Sequence, residues 1–256
     1  SLNGGGVGGG IVKTPNIDAL AREGVNFTTA YAANATCSPS RAAMMTGRYP
    51  TRFGFEFTAV PVQFAENMAH GEGVGPLRAI FHKDRITPDI PDYPDMGVPA
   101  GEVTIAEAVK AAGYHSLHIG KWHLGEAPEL QPHAQGFDES LAILAGGAMF
   151  MREDDPDVVN AKLPWDPIDR FLWANLRHAV TFNGSQRFYP RRHMTDYFAE
   201  EAIKAIEANR NRPFFMYLAF NAPHTPLQAT KADYDVLPQI KDHKTRVYGA
   251  MIAQMD

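Results

Sequence analysis

The chain has 256 residues, 45% of them hydrophobic, with 24 basic and 29 acidic side chains and a formal charge of -5. That length can bury a sizeable core in one large domain, and the charge balance lacks the basic excess that a nucleic-acid or anionic-membrane partner requires. One cysteine excludes an intrachain disulfide, and no apolar run approaches the roughly 18 residues needed to span a bilayer. The sequence begins Ser1-Leu2-Asn3 without an initiator methionine or a charged and apolar leader, and it stops at Asp256 inside a helical pattern. It reads as an internal piece of a longer protein, all of it part of one domain.

Residues 1–13, with six glycines between Gly4 and Gly10, read as a flexible linker or a surface loop. Thr14 as N-cap and Pro15 at the first position open a short helix with Ile17 and Leu20 on one face and Gly24 as its stop. A strand is expected over 25–32, and then a helix whose first turn tolerates Pro39 and whose end is Gly47. Residues 49–100 form a long irregular stretch containing Phe53, Phe55, Phe57, Phe64 and Phe81, read as a packed loop region beside the site. Thr104 and Glu107 are spaced as a capping box that opens a helix through Ala112, with Gly113 ending it, and 114–119 is a short strand.

Residues 126–192 carry an apolar run at 141–150, an acidic patch at 153–157, and Trp165 and Trp173. They are expected to form loops and short hairpins over the active face. Thr195 caps a helix running to about Asn209, with Phe198, Ala202, Ile203 and Ile206 at helical spacing. An apolar strand over 213–220, buried on both faces, and a last helix from near Lys244 complete the chain. Helices alternating with strands imply an α/β layered sandwich with a mostly parallel central sheet. In such sheets ligands gather at the carboxyl ends of the strands. There Cys37 and the segments after Ile119 and Phe220 would converge.

Cys37 thus stands at the mouth of a helix, where free backbone N–H groups and the dipole favour an anion. A lone cysteine is usually a small buried apolar residue, although a helix N-terminus lowers thiol pKa. The neighbours are more specific: Cys37-Ser38-Pro39-Ser40-Arg41, then Thr46-Gly47-Arg48. This resembles the signature of the type I sulfatases, arylsulfatase-like enzymes of the alkaline phosphatase superfamily in which the cysteine becomes formylglycine. Thr14-Pro15-Asn16-Ile17-Asp18 and Gly24-Val25-Asn26-Phe27 extend the resemblance upstream. Gly120-Lys121-Trp122-His123-Leu124-Gly125 is similar to the second sulfatase signature; an extended chain would point Lys121 and His123 to one side, although alone they fit a surface lysine and a hydrogen-bonded histidine. Asn221-Ala222-Pro223-His224-Thr225-Pro226 is a third match, in which His224 by itself could equally shape a turn.

The resemblance implies the sulfatase and alkaline-phosphatase fold, incomplete at both ends, and a sulfuric ester hydrolase that splits a sulfate monoester into an alcohol and inorganic sulfate. Cys37, as a formylglycine hydrate, would be the nucleophile and Arg41 would hold and polarise it. Lys121 and His123 would bind sulfate oxygens, with His123 taking a hydroxyl proton on sulfate release. His224 would meet the leaving oxygen and protonate it. Arg48, about two turns beyond Cys37, would support the fold rather than the chemistry. Pro39 and Arg41 also belong to the pattern read by the formylglycine-generating enzyme, an implied partner in maturation.

The family binds one divalent cation, calcium, through an acidic pair that would precede Ser1 and an Asp-Asn pair that would follow Asp256, with a further sulfate-binding lysine beyond that end. Only Cys37, through its formylglycine oxygen, is assignable as a metal ligand. Asp18, Asp138 and Asp196 lack the matching context and are read as solvated or capping. A hard cation takes about six oxygen ligands, so the isolated piece is expected to bind calcium poorly and to be marginal or inactive. Two alternatives remain: a phosphonate or phosphate monoester hydrolase of the same superfamily, and a non-catalytic pseudo-enzyme with Cys37 unmodified. The substrate would be a small-molecule or carbohydrate sulfate ester, with Phe53, Phe81, Trp165, Trp173, Arg191 and Arg192 as a cradle or simply as packing. By the same analogy the location would be periplasmic or extracellular.

Overall fold

The architecture rests on one strand, β1 (His115–Lys121), in which every residue after the first is buried. Its neighbours are β2 (Glu139–Ile143) and β5 (Phe214–Ala219), both parallel to it, and β4 (Thr181–Phe182) pairs antiparallel with β2. The sheet order is therefore β4-β2-β1-β5, and β3 (Val158–Ala161) with β6 (Leu227–Thr230) makes a separate antiparallel pair. This is the expected α/β fold with a mostly parallel sheet. The computed structural model describes residues 10–69 and 80–256; the expectation for the glycine run falls almost wholly outside them.

Side chains alternate across the sheet, so each face carries its own core. On one face Ile119, Leu141 and Ile143 pack with Phe198 and Met194 of α6 (Met194–Asn209) and Val247 and Met251 of the last helix, α7 (His243–Met255). On the other, Ala42 and Met45 of α2 (Cys37–Thr46) and Ala106 of α4 (Ile105–Ala111) pack with Val98, Trp122, Leu124 and Phe137. Trp122 meets Phe137 edge-on at 5.9 Å between ring centroids, and its indole N–H donates to the Leu130 carbonyl at 2.9 Å. Each such fully buried large side chain stabilises the fold by about 2 kcal/mol. The second core is what seats α2, and with it Cys37, beside the carboxyl end of β1.

Several local expectations hold. Helix α1 spans Pro15–Glu23. Both halves of the Thr104–Glu107 capping box form, and Gly47 follows α2 in the left-handed conformation at φ 66°. Arg48 forms an ion pair with Glu102, a supporting role.

Others differ. Residues 25–32 form no strand: they run without sheet partners, and Phe27 and Tyr31 are 76% and 88% exposed. β-rich composition cannot make a strand where no neighbour accepts its backbone hydrogen bonds. The irregular region contains a helix, α3 (Val62–Ala69), whose Phe64 meets Phe171 of α5 (Pro167–Asn175) edge-on at 5.0 Å. Within 126–192, β2 is an inner sheet strand rather than part of a hairpin, because its apolar run lies between β1 and β4. The cap of α6 is His193, whose ring nitrogen accepts from the Thr195 N–H at 3.4 Å, leaving Thr195 inside the helix. β5 is half-buried over most of its length because β1 is its single strand partner among the described residues.

Candidate active site

Helix α2 begins at Cys37 with Thr36 in extended conformation at the N-cap, and no side chain closes the cap. Asn34 instead fixes the entering loop, its amide oxygen accepting from Thr36 N and Oγ1 at 2.9 Å each. The helix is locked from beneath by buried Ser38, Pro39, Ala42 and Met45. Its first N–H groups and partly exposed Cys37 consequently face an open cleft of about 530 Å³. Arg41 lies one turn on and lines the same cleft. Its Nη1 donates to the Lys121 carbonyl at 2.8 Å and to the Tyr217 hydroxyl at 3.2 Å.

Lys121 closes β1. The preceding Gly120 has φ 117°, and a Cβ there would fall 2.0 Å from the Ala219 carbonyl oxygen, so only glycine lets β5 approach while the chain redirects Lys121. The lysine is 2% exposed, and among the described residues its ammonium has no hydrogen bond or ion pair. Burial pulls it down to about 8; the nearby Cys37 opposes this and the Arg41 charge adds to it. A buried cation with no counter-charge is poised to receive an anion.

His123 is 3% exposed and adopts φ 59°. The chain is therefore not extended through His123 as the expected alternation assumed, yet the Lys121 charge still acts on the ring. His123 is buried beside the cleft, close enough to Lys121, Arg41 and His224 for their charges to act on its ring. Its Nε2 lies 2.9 Å from the Ala59 carbonyl, which can only accept, so Nε2 carries the hydrogen and Nδ1 is left as a buried acceptor with no partner. Burial first, then the Lys121 charge, lowers the ring to about 3. Gly146 packs against it: a Cβ there would lie 2.8 Å from the imidazole Cε1.

His224 lines the cleft with Cys37, Arg41 and Lys121. Its Nδ1 donates to the Thr225 carbonyl, which leaves Nε2 as the bare nitrogen. Burial and then Lys121 lower it to about 4, so the ring is neutral at pH 7.

Three neighbouring residues escaped the sequence reading. Tyr217 reaches Arg41 from β5; strand register alone places it there, so no local signal could have found it. Asn221, in the third motif, lines the cleft with its Nδ2 on the Ala148 carbonyl at 3.1 Å and its Oδ1 buried without a partner. Tyr93, from the irregular region, is pushed up by burial, then by the Glu126 carboxylate, and more weakly by Cys37. By contrast Trp165, Trp173, Arg191 and Arg192 do not line the cleft. Lys162 covers the Trp173 ring at 4.8 Å, and Arg192 pairs with Glu200.

The donor set around Cys37 is cationic and amide in character, with no carboxylate in the cleft lining. Among the described residues no three His, Cys, Asp or Glu side chains converge as a metal site. These groups do not fit a hard divalent cation, which takes oxygen ligands. Asp138 is held elsewhere: burial raises its carboxyl, but Lys110 at 2.7 Å and Ser116 outweigh that and leave it at about 2. Asp196 accepts from Gln254 at 3.0 Å, and Asp18 lies 3.5 Å from the Thr14 hydroxyl. No helix among the described residues is long and apolar enough to cross a membrane.

Comparison with known proteins gives the family. The N-acetylgalactosamine-6-sulfatase of Sus scrofa is 31% identical over 252 residues, a match covering 93% of this chain and 42% of the relative. The human protein of the same name is 31% identical over 247 residues, covering 95% and 40%. This chain thus spans about two-fifths of the length of these curated relatives. Among solved structures, Ps i-CgsB in complex with k-i-k-neocarrahexaose superposes with a TM-score of 0.69 at 31% identity, over 94% of this chain and 47% of that one. The profile of the family described as Sulfatase matches residues 3–256, and the chain belongs to that family.

Proposed function

We propose that this chain carries the nucleophile and the oxyanion-binding half of a sulfatase site, which in the full-length protein hydrolyses a carbohydrate sulfate monoester to an alcohol and inorganic sulfate. The observation that carries the reading is Lys121: a buried lysine that lines the cleft beside Cys37 and Arg41 at the mouth of a helix, and whose ammonium has no ion pair among the described residues. Such a cluster is costly until a ligand brings negative charge, and a sulfate ester is a stable anion of the right size. The carbohydrate preference draws support from the relatives, two named for an N-acetylgalactosamine sulfate and one bound to a neocarrahexaose.

Modified to a formylglycine hydrate, residue 37 would supply one hydroxyl to attack sulfur in line and a second whose deprotonation ejects sulfate and restores the aldehyde. Arg41 and Lys121 hold the sulfate oxygens and stabilise the charge that develops on them. The bare Nδ1 of His123 suits it to accept a proton. His224 is neutral at rest, and its ring becomes the acid for the leaving oxygen when the bound anion raises its pKa. The calcium that the family uses would draw its carboxylate ligands from sequence other than the described residues.

The test is mass spectrometry of the peptide containing Cys37 from full-length protein expressed with a formylglycine-generating enzyme, followed by kinetics on sugar sulfate and phosphonate esters. Formylglycine at position 37 and faster sulfate turnover are expected, and Cys37→Ala should cut turnover by about 10⁴-fold or more. A persistent thiol removes the mechanism, and faster phosphonate turnover replaces the substrate.

A further inference from the structure

We propose that Tyr217 is a positioning residue for Arg41, the outermost member of a cross-strand row, Ser140, His118 and Tyr217, that transmits the order of the sheet interior to the guanidinium. The inference rests on the reading of the Cys37 cleft as an oxyanion site.

The row follows from register. β1 places His118 opposite Ser140 of β2 and opposite Tyr217 of β5, so all three project from one face of the sheet. His118 is fully buried, with Nδ1 3.1 Å from the Ser140 hydroxyl. Its ring is boxed by Trp122 at 5.4 Å and Phe137 at 5.5 Å, and it lies 5.7 Å from the Tyr217 ring at a 37° tilt. The phenol is therefore held between a packed core and the cleft it lines.

Its hydroxyl accepts from Arg41 Nη1 at 3.2 Å while that same nitrogen donates to the Lys121 carbonyl at 2.8 Å. His118 Nε2 lies 3.5 Å from that carbonyl. One edge of the guanidinium is thus fixed by two neutral acceptors, and among the described residues no carboxylate pairs with Arg41. That choice of partners has a consequence. A carboxylate would spend the arginine's charge inside the protein, whereas a hydroxyl and a carbonyl orient it and leave the charge and the remaining N–H groups for a ligand.

The experiment measures binding of inorganic sulfate to the full-length protein by titration calorimetry in a double-mutant cycle of Tyr217→Phe and Arg41→Gln. Phenylalanine keeps the ring and removes the hydroxyl, so the melting temperature should hardly move while sulfate affinity falls about fivefold. In the Arg41→Gln background Tyr217→Phe should cost nothing more, because its effect passes through the arginine. Should Arg41→Gln not fold, Arg41→Lys, which keeps a cation without the fork, serves in its place. Wild-type affinity in Tyr217→Phe, an equal loss in both backgrounds, or no sulfate binding by the wild type would each overturn the inference. A coupled loss in a protein that binds sulfate yet hydrolyses no sulfate ester sustains the inference and removes the proposed function instead.

Discussion

Two stretches of chain lead into the same cleft and are held in opposite ways. The run from β1 through His123 is almost sealed: Lys121 and His123 are 2% and 3% exposed, and each is fixed by strand register or by a loop backbone. The run over 25–36 that delivers Cys37 is open, with Phe27 and Tyr31 on the surface, and its end is tied by Asn34 and by the Thr36 carbonyl, which accepts from the Ser40 N–H. The position of Cys37 is consequently set by α2 and the core beneath it, not by the segment that precedes it. Lys121 and His123, by contrast, are held at the cost of burying a cation and straining a backbone.

The sharpest way to break that contrast is Lys121→Met. With a pKa of about 8 when folded against 10.5 otherwise, Lys121 binds fewer protons in the folded state across that interval. Stability therefore rises with pH from about 8 to 10.5, and the penalty is complete below 8, where it amounts to about 3 kcal/mol. Lys121→Met should raise stability at pH 7 by up to about that amount, abolish sulfate binding, and remove this part of the pH slope. Urea unfolding of both proteins at pH 7 and 10 reads it directly; an unchanged slope would mean that the ammonium is not buried as described.

A smaller effect is expected at Gly146, where a Cβ would press on the His123 ring. Gly146→Ala should cost about 2 kcal/mol in denaturant melts and lower turnover, since the imidazole must shift off the Ala59 carbonyl. Stability and turnover both at wild-type levels would show that the loop yields freely. The smallest is Thr104→Ala, which removes one half of the α4 capping box. It should cost about 1 kcal/mol through the core that supports α2 while leaving sulfate affinity unchanged. A fall in affinity there would show that the seating of α2 is less independent than the contrast supposes.

Much of this was legible locally. Pro15 and Gly24 bound α1, Thr104 and Glu107 open α4, and Gly47 ends α2, because capping and breaking depend on residues within one turn. The motifs around Cys37, Lys121 and His224 named the cleft residues for a similar reason: each is a short run whose spacing is kept whatever surrounds it. What escaped depends on distant partners. The apolar pattern of 141–150 does not say which strands flank it, and Trp165 and Trp173 do not say which face they cover.

The sequence by itself determined the mostly parallel α/β class, the helix that presents Cys37, and the cationic character of the groups that line its cleft. Tertiary structure alone decided that 25–32 stays unpaired, that β2 is an inner strand, that His123 rests on the Ala59 carbonyl, and that the Tyr217 hydroxyl accepts from Arg41. The physical reason is the same in each case. Propensity and capping are energies of neighbours along the chain, whereas strand pairing, burial and the lowered pKa of Lys121 are energies of neighbours in space. Those exist only once β1, β2 and β5 have taken their register.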